Sequence, residues 1–319
     1  QAASDGRTPL IAACVKGDGD CVQLLLAAHA AVDQAASDGT TPLYAACLNG
    51  HGGCVQLLLA AHAVVDHMAS DGTTPLYAAC LKDHGDCVQL LLAAHAAVDQ
   101  ADREGGTPLF AACEKGHGDC VQLLLAAHAA VDQAASDGRT PLIAACVKGD
   151  GGCVQLLLAA HAAVDQADSS GNTPLHAACY YGDGDCDCVQ LLLAAHAVVD
   201  QANSQGRTPL IAACLEGHGG YVQLLLAAHA AIDQANSDGT TPLIAACSKG
   251  SIDIVKLLLH AGARTDLRSA SGTALDIAEA QGHTVIARFL RSRRRAPATI
   301  AAAVAPVSSA ERAAAERAA

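Results

Sequence analysis

Tryptophan is absent from this chain, and two Phe, five Tyr and a single Met are all it has of the largest apolar side chains. An interior wedged open by aromatic rings is therefore excluded. Apolar residues still make up 51% of the 319 positions, so the core must be built from Leu, Ala, Val, Ile and Cys. No apolar run approaches the roughly 18 residues a membrane helix needs, and no membrane partner is expected. The glycines fall in turns and helix breaks rather than in a phosphate loop after a strand. No Ser/His/Asp arrangement offers a nucleophile. The chain therefore reads as non-enzymatic and without cofactors. Positive charge is scarce outside one end. Residues 288–319 hold seven Arg and two Glu, which leaves 12 basic and 30 acidic residues, a net of −18, for residues 1–287. So acidic a body repels phosphates, and no nucleic-acid partner is expected. Its acidity predicts either plain solubility or an acidic docking surface.

What is present in abundance is repetition. Thr-Pro-Leu begins at Thr8, Thr41, Thr74, Thr107, Thr140, Thr173, Thr208 and Thr241, and returns as Thr-Ala-Leu at Thr273. The first five intervals are 33 residues, followed by 35, 33 and 32. A fixed period of this size signals units that bury a core only against their neighbours. In residues 38–70, Asp38-Gly39 is turn chemistry. Thr41 is suited to an N-cap and Pro42 to the first helical position. A helix from Pro42 to about Leu48 is predicted, broken at Gly50 to Gly53, with a second helix from about Cys54 to Ala61. Neither could stand alone at that length, so stacking must supply the stability.

The period, the Thr-Pro-Leu signature and the full Thr-Pro-Leu-His at Thr173–His176 resemble the ankyrin repeat, over roughly Gln1 to Leu290. The resemblance implies an all-α solenoid of about nine stacked helix-turn-helix repeats with short β-hairpin fingers. It implies protein binding on a concave side formed by fingers and first helices. The expected units are 5–37, 38–70, 71–103, 104–136, 137–169, 170–204, 205–237, 238–270 and 271–290. Two departures stand out. Most units replace the signature His by Ile, Tyr or Phe. Seven put His where the family has Gly after the second helix: His29, His62, His95, His128, His161, His196 and His229, whereas Gly262 keeps the family residue. That position is the left-handed cap, which His tolerates better than most residues.

Residues 1–33 match 133–165 except that Asp20 is replaced by Gly152, so the first unit is of internal type. Further repeats upstream, or another chain against this face, are expected. Asp276, Glu279, Gln281 and Arg288 give the last unit a polar outer face. The cluster Arg291–Arg295 reads as a nuclear address or a helix end that complements the macrodipole. Residues 291–319 are expected to be a largely unpacked tail, with a short helix after the capping box at Ser308–Glu311. The sixth unit has two extra residues within 182–188. Their spaced acids lack the Gly and Glu of a calcium loop and predict a local bulge.

The fifteen cysteines fall into ladders. Eight follow Ala-Ala on first helices (Cys14, Cys47, Cys80, Cys113, Cys146, Cys179, Cys214, Cys247), six open second helices (Cys21, Cys54, Cys87, Cys120, Cys153, Cys188), and Cys186 lies outside both. Core filling in a reducing compartment is expected. Equivalent cysteines in adjacent layers are too far apart for disulfides, while a Cys14–Cys21 bridge remains open. His176, Cys179, Cys186 and Cys188 have metal-ligating types but the wrong Cys-x-Cys spacing, so no metal is expected.

The units differ at few positions, and those positions are the candidate partner-binding residues: Arg7, Arg139, Asn172 and Arg207 on the fingers, and Tyr44, Tyr77, Phe110, His176, Tyr180 and Tyr181 on the first helices. Five of the seven aromatics lie among them. The leading expectation is a monomeric, cytoplasmic, non-catalytic protein-interaction scaffold, with a nuclear address possible at Arg291–Arg295. The alternatives are a targeting arm of a larger regulatory or enzymatic protein, and a metal- or redox-sensing array.

Overall fold

The structure, a computed structural model, describes residues 5–182 and 187–295. Within them the chain forms eighteen helices in nine antiparallel pairs, each pair packed on the next. The second unit shows the pattern, with Pro42–Leu48 followed by Gly52–Ala60.

Local chemistry sets each first helix. Thr41 sits in extended backbone and its Oγ1 accepts from the Tyr44 N–H at 3.1 Å, with Pro42 at the first position. The same Thr cap recurs from Thr8 to Thr241, and Thr273 forms a full capping box with Asp276. A left-handed glycine closes most first helices, as Gly17 does at φ 72°. The third unit has Asp83 in that slot, at φ 62°.

The second helices start two residues earlier than expected, at Gly52 rather than Cys54. Gly52 and Gly53 break nothing there. The first turn has no i−4 bonds to weaken, so a glycine costs little. The seven His after the second helices all adopt φ between 59° and 63°, as the left-handed cap predicts. The fingers are tight turns rather than strand pairs. Only Arg268–Ser269 and Gly272–Thr273 form regular β structure among the described residues. Elsewhere one backbone bond per step links successive fingers, such as Ser37 N–H to Asp5 C=O at 3.0 Å and Ser136 N–H to Glu104 C=O at 2.8 Å.

Three further ladders tie the units together. An Asp near the end of each of the first seven units accepts from a backbone N–H of the next: Asp33 from Val64 at 2.9 Å, Asp66 from Ala97 at 3.0 Å, and so on to Asp233 from Arg264 at 2.9 Å. Much of the chain's acidity therefore serves as backbone acceptors. A second histidine series bonds carbonyls at the end of the preceding first helix, with His51 on Val15 and His84 on Leu48, both at 3.2 Å, and His117 on Cys80 at 2.9 Å. The third ladder is thiol on thiol. Cys47 neighbours Cys87, and Cys80 neighbours Cys120, each pair running diagonally from a first helix to the next unit's second helix, and the Cys120 thiol also donates to Asp83 Oδ1 at 3.6 Å.

Leu, Ala, Val and Cys fill the core, and Tyr221 takes the place of a second-helix Cys while remaining fully buried. All cysteines among the described residues are free thiols, Cys14 and Cys21 included. Burial pushes the Cys14, Cys153 and Cys247 thiols up to about 12. The last helix, Thr284–Arg295, runs past Leu290, where the repeat pattern stops, and Arg291 pairs with Glu279 at 2.8 Å. At the other end Leu24 is 70% exposed. No helix among the described residues is long and apolar enough to cross a membrane. Cys186, most of the sixth unit's insertion and the segment from residue 296 on lie outside the described residues.

Candidate functional site

First helices and fingers share one side of the stack, and three adjoining clefts run along it from the third to the seventh unit. The first, of about 390 Å³, is lined by Tyr77, Phe110 and Arg139 together with Asp102, Glu104 and Asp137. Gly106 helps to open it, since a Cβ there would meet the Asp102 carboxylate at 3.4 Å and the Phe110 ring at 3.5 Å. The second, about 400 Å³, shares Asp137 and Arg139 with the first and adds Asn172 and Tyr181. The third, about 190 Å³, shares Ser170, Asn172 and Tyr181 with the second and adds His176, Tyr180 and Arg207. Eight of the ten sequence-derived candidates thus line one continuous strip. Arg7 and Tyr44 line none of these clefts. Arg7 pairs with Asp5 at 3.5 Å, and the Tyr44 hydroxyl bonds Thr73 Oγ1 at 3.0 Å.

The walls differ along the strip. Arg139 lies over the Phe110 ring at 5.3 Å and holds Asp137 at 2.6 Å, with Glu114 at 4.0 Å, so its charge is satisfied at home. Burial raises the Tyr77 phenol's pKa, and the Asp102 carboxylate adds to the shift, so Tyr77 stays a neutral hydrogen-bonding group. Farther along, Tyr180 and Tyr181 meet edge to face at 4.7 Å, and His176 stacks near Tyr180 at 6.5 Å. Tyr181 is 57% exposed, an aromatic ring displayed to solvent in a chain that has few.

His176 is only 4% exposed. Burial lowers its pKa to about 4, Arg207 adds to the drop, and Asp168 opposes it. Asn203 Nδ2 donates to Asn172 Oδ1 at 2.9 Å and reaches His176 Nε2 at 3.4 Å. Its orientation is fixed because Asn203 Oδ1 accepts the N–H groups of Gln205 and Arg207, each at 3.0 Å. An amide donor facing Nε2 makes that nitrogen the acceptor and leaves the ring proton on Nδ1. His176 Nδ1 and Arg207 Nε are both buried without a hydrogen-bond partner.

The candidates missed were finger residues, namely Asp102, Glu104, Asp168, Ser170, Asn203 and Gln205. Their signal was available. The tip before each finger glycine is Asp5, Asp38, Asp71, Asp137 and Asp238 in five units, but Glu104, Ser170 and Gln205 at three of the fingers along this strip. No group of three or more His, Cys, Asp or Glu suited to a metal ion occurs among the described residues.

A family model described as ankyrin repeats matches residues 1–69, 53–135, 127–201, 182–269 and 223–299. Among solved structures, the crystal structure of the human ASB11 ankyrin repeat domain is similar. It has a TM-score of 0.63 and 30% identity, over 69% of this chain and 97% of that one. No curated protein matches significantly. Ankyrin repeats are generally protein-interaction modules, and their fold is typically non-catalytic.

Proposed function

Because the chain belongs to the ankyrin-repeat family, we propose that it is a non-catalytic scaffold that grips a partner protein along its concave side, from Tyr77 to Arg207. The observation that carries this reading is contiguity. Eight of the ten candidate positions at which nearly identical units differ line three clefts that share walls. Proteins are held best where aromatic and Arg anchors sit in hollows rimmed by polar groups. Tyr77, Phe110, Tyr180, Tyr181, Arg139 and Arg207 supply such anchors, and finger Asp, Ser and Asn residues supply the rim. The wealth of buried thiols suits a reducing compartment and supports an intracellular reading.

The test is retention of proteins from source-cell lysate on the immobilised full chain. Tyr180→Ala with Tyr181→Ala is compared with a second-helix control, Gln122→Ala with Gln155→Ala. A protein held by the wild type and the control but lost by the tyrosine variant is the expected result. Equal retention by all three would remove the concave strip as the binding surface.

A further inference from the structure

Arginine occupies the same finger position in three units, and two of the three are neutralised at home. Arg7 has Asp5 at 3.5 Å, and Arg139 has Asp137 at 2.6 Å. In both fingers the partner is the tip carboxylate two residues earlier, in the sequence Asp-Gly-Arg. The seventh unit reads Gln205-Gly206-Arg207, and the amide that replaces the carboxylate cannot form the ion pair. Arg207 makes no ion pair within 4.0 Å among the described residues, and its buried Nε has no partner. Asp168 and Asp238 are the nearby acids, and neither closes the gap. Asp168 spends its carboxylate on the N–H groups of Ser170 and Asn172 and on the Asn172 amide. Asp238 feels the Arg207 charge through space while bonding the Thr240 N–H.

The third cleft therefore has an unusual inventory. Two of its lining residues each carry a buried polar atom without a partner, Arg207 Nε–H and His176 Nδ1–H; both are donors, and one belongs to a fixed cation. A buried donor left unmade costs about 1–3 kcal/mol, so a ligand with acceptor oxygens is favoured there. A planar guanidinium matches a carboxylate with two parallel bonds. The volume of about 190 Å³ suits one side chain and not a cofactor, and Tyr180 and Tyr181 offer apolar walls for its methylenes.

Resting on the concave-side reading above, we propose that the cleft formed by His176, Tyr180, Tyr181, Asn203 and Arg207 is a carboxylate pocket that takes an Asp or Glu side chain of the partner. The pocket sets a charge requirement at one point of an otherwise acidic body, so it selects for a single acidic residue rather than for an acidic surface.

The test uses the full chain and capped amino acids as probes, followed by NMR at the Arg207 Nε–H and the His176 ring. N-acetyl-glutamate N-methylamide is expected to shift both signals saturably, and the glutamine analogue is not. Arg207→Gln should weaken the response at least fivefold, while Arg139→Gln leaves it unchanged. Gln205→Asp restores the finger ion pair seen at Asp137 and should abolish the response in a chain that keeps every other group. The proposal is overturned by no saturable shift, by a response that survives Arg207→Gln or Gln205→Asp, or by inorganic phosphate binding as well as the capped glutamate. Failure here with partner loss in the Tyr180/Tyr181 variant would overturn the pocket alone. Failure of both would overturn the concave-side reading as well.

Discussion

Along the second helices, Val-Gln-Leu-Leu-Leu-Ala-Ala recurs unchanged in the first seven units, from Val22 to Ala228, while the strip of clefts changes its side chains at almost every step. Burial explains part of this sameness, because Val22, Val55, Leu58, Leu91 and Leu124 are sealed between layers where a lost methylene costs stability. It does not explain Gln23, Gln122 and Gln155, which are exposed and equally unchanged. Nothing in the structure accounts for those glutamines. Sameness in an array of near-copies is thus weak evidence of a role. Difference is the informative quantity, and it gathers where three clefts join.

The sharpest way to break the comparison is to damage the unchanging side. Leu124→Ala removes a fully buried side chain from the middle of the stack and should cost about 2–5 kcal/mol by urea unfolding, with partner binding reduced only as far as the fold is lost. A cost below about 1 kcal/mol would mean that the layers repack freely.

On the varying side, His176 is the residue with a pH signature. Its folded pKa of about 4 lies below the ordinary 6.5, so between those values the unfolded chain binds a proton that the folded chain refuses. Stability should fall as pH drops from 6.5 towards 4, by up to about 1.4 kcal/mol per pH unit, and this group should contribute no pH dependence above 6.5. His176→Ile, the residue present at Ile143, should flatten that stretch of the profile. An unchanged slope would show that His176 is not buried neutral.

A smaller effect is expected at the left-handed caps. His128→Gly relieves a side chain held at φ 62° but adds backbone freedom to the unfolded chain, for a net gain of about 0.5 kcal/mol. A loss of stability would mean that the imidazole contributes something beyond its backbone. The smallest stability effect is expected at Tyr181, whose ring is mostly in solvent. Tyr181→Ala should stay within about 0.5 kcal/mol of wild type. A larger loss would return this tyrosine to the structural side of the comparison.

How far the sequence revealed the molecule follows from the range of each interaction. The Thr41 cap, the Pro42 start and the left-handed His62 are set by neighbours within a few residues, and all are readable in one unit. The Asp33–Val64 bond, the His51–Val15 bond and the Cys47–Cys87 contact join residues 31 to 40 apart, and they exist only once the layers stack in register. Their periodic spacing was visible, but the partner of each ladder was not. The candidate strip was legible at His176, Tyr180 and Arg139, since they interrupt a pattern. The unpaired state of Arg207 was missed because its cause lies two residues earlier, at Gln205, where a single carboxylate is exchanged for an amide.

The central claim is that binding occupies the varying strip and spares the second helices. Hydrogen exchange of the full chain, with and without the protein it retains, measures this directly. The account predicts slowed exchange in the fingers and first helices from Asp102 to Ile211, with no change in Gly118–Ala126 and Gly151–Ala159. Protection of those second helices, with the fingers unaffected, would contradict it.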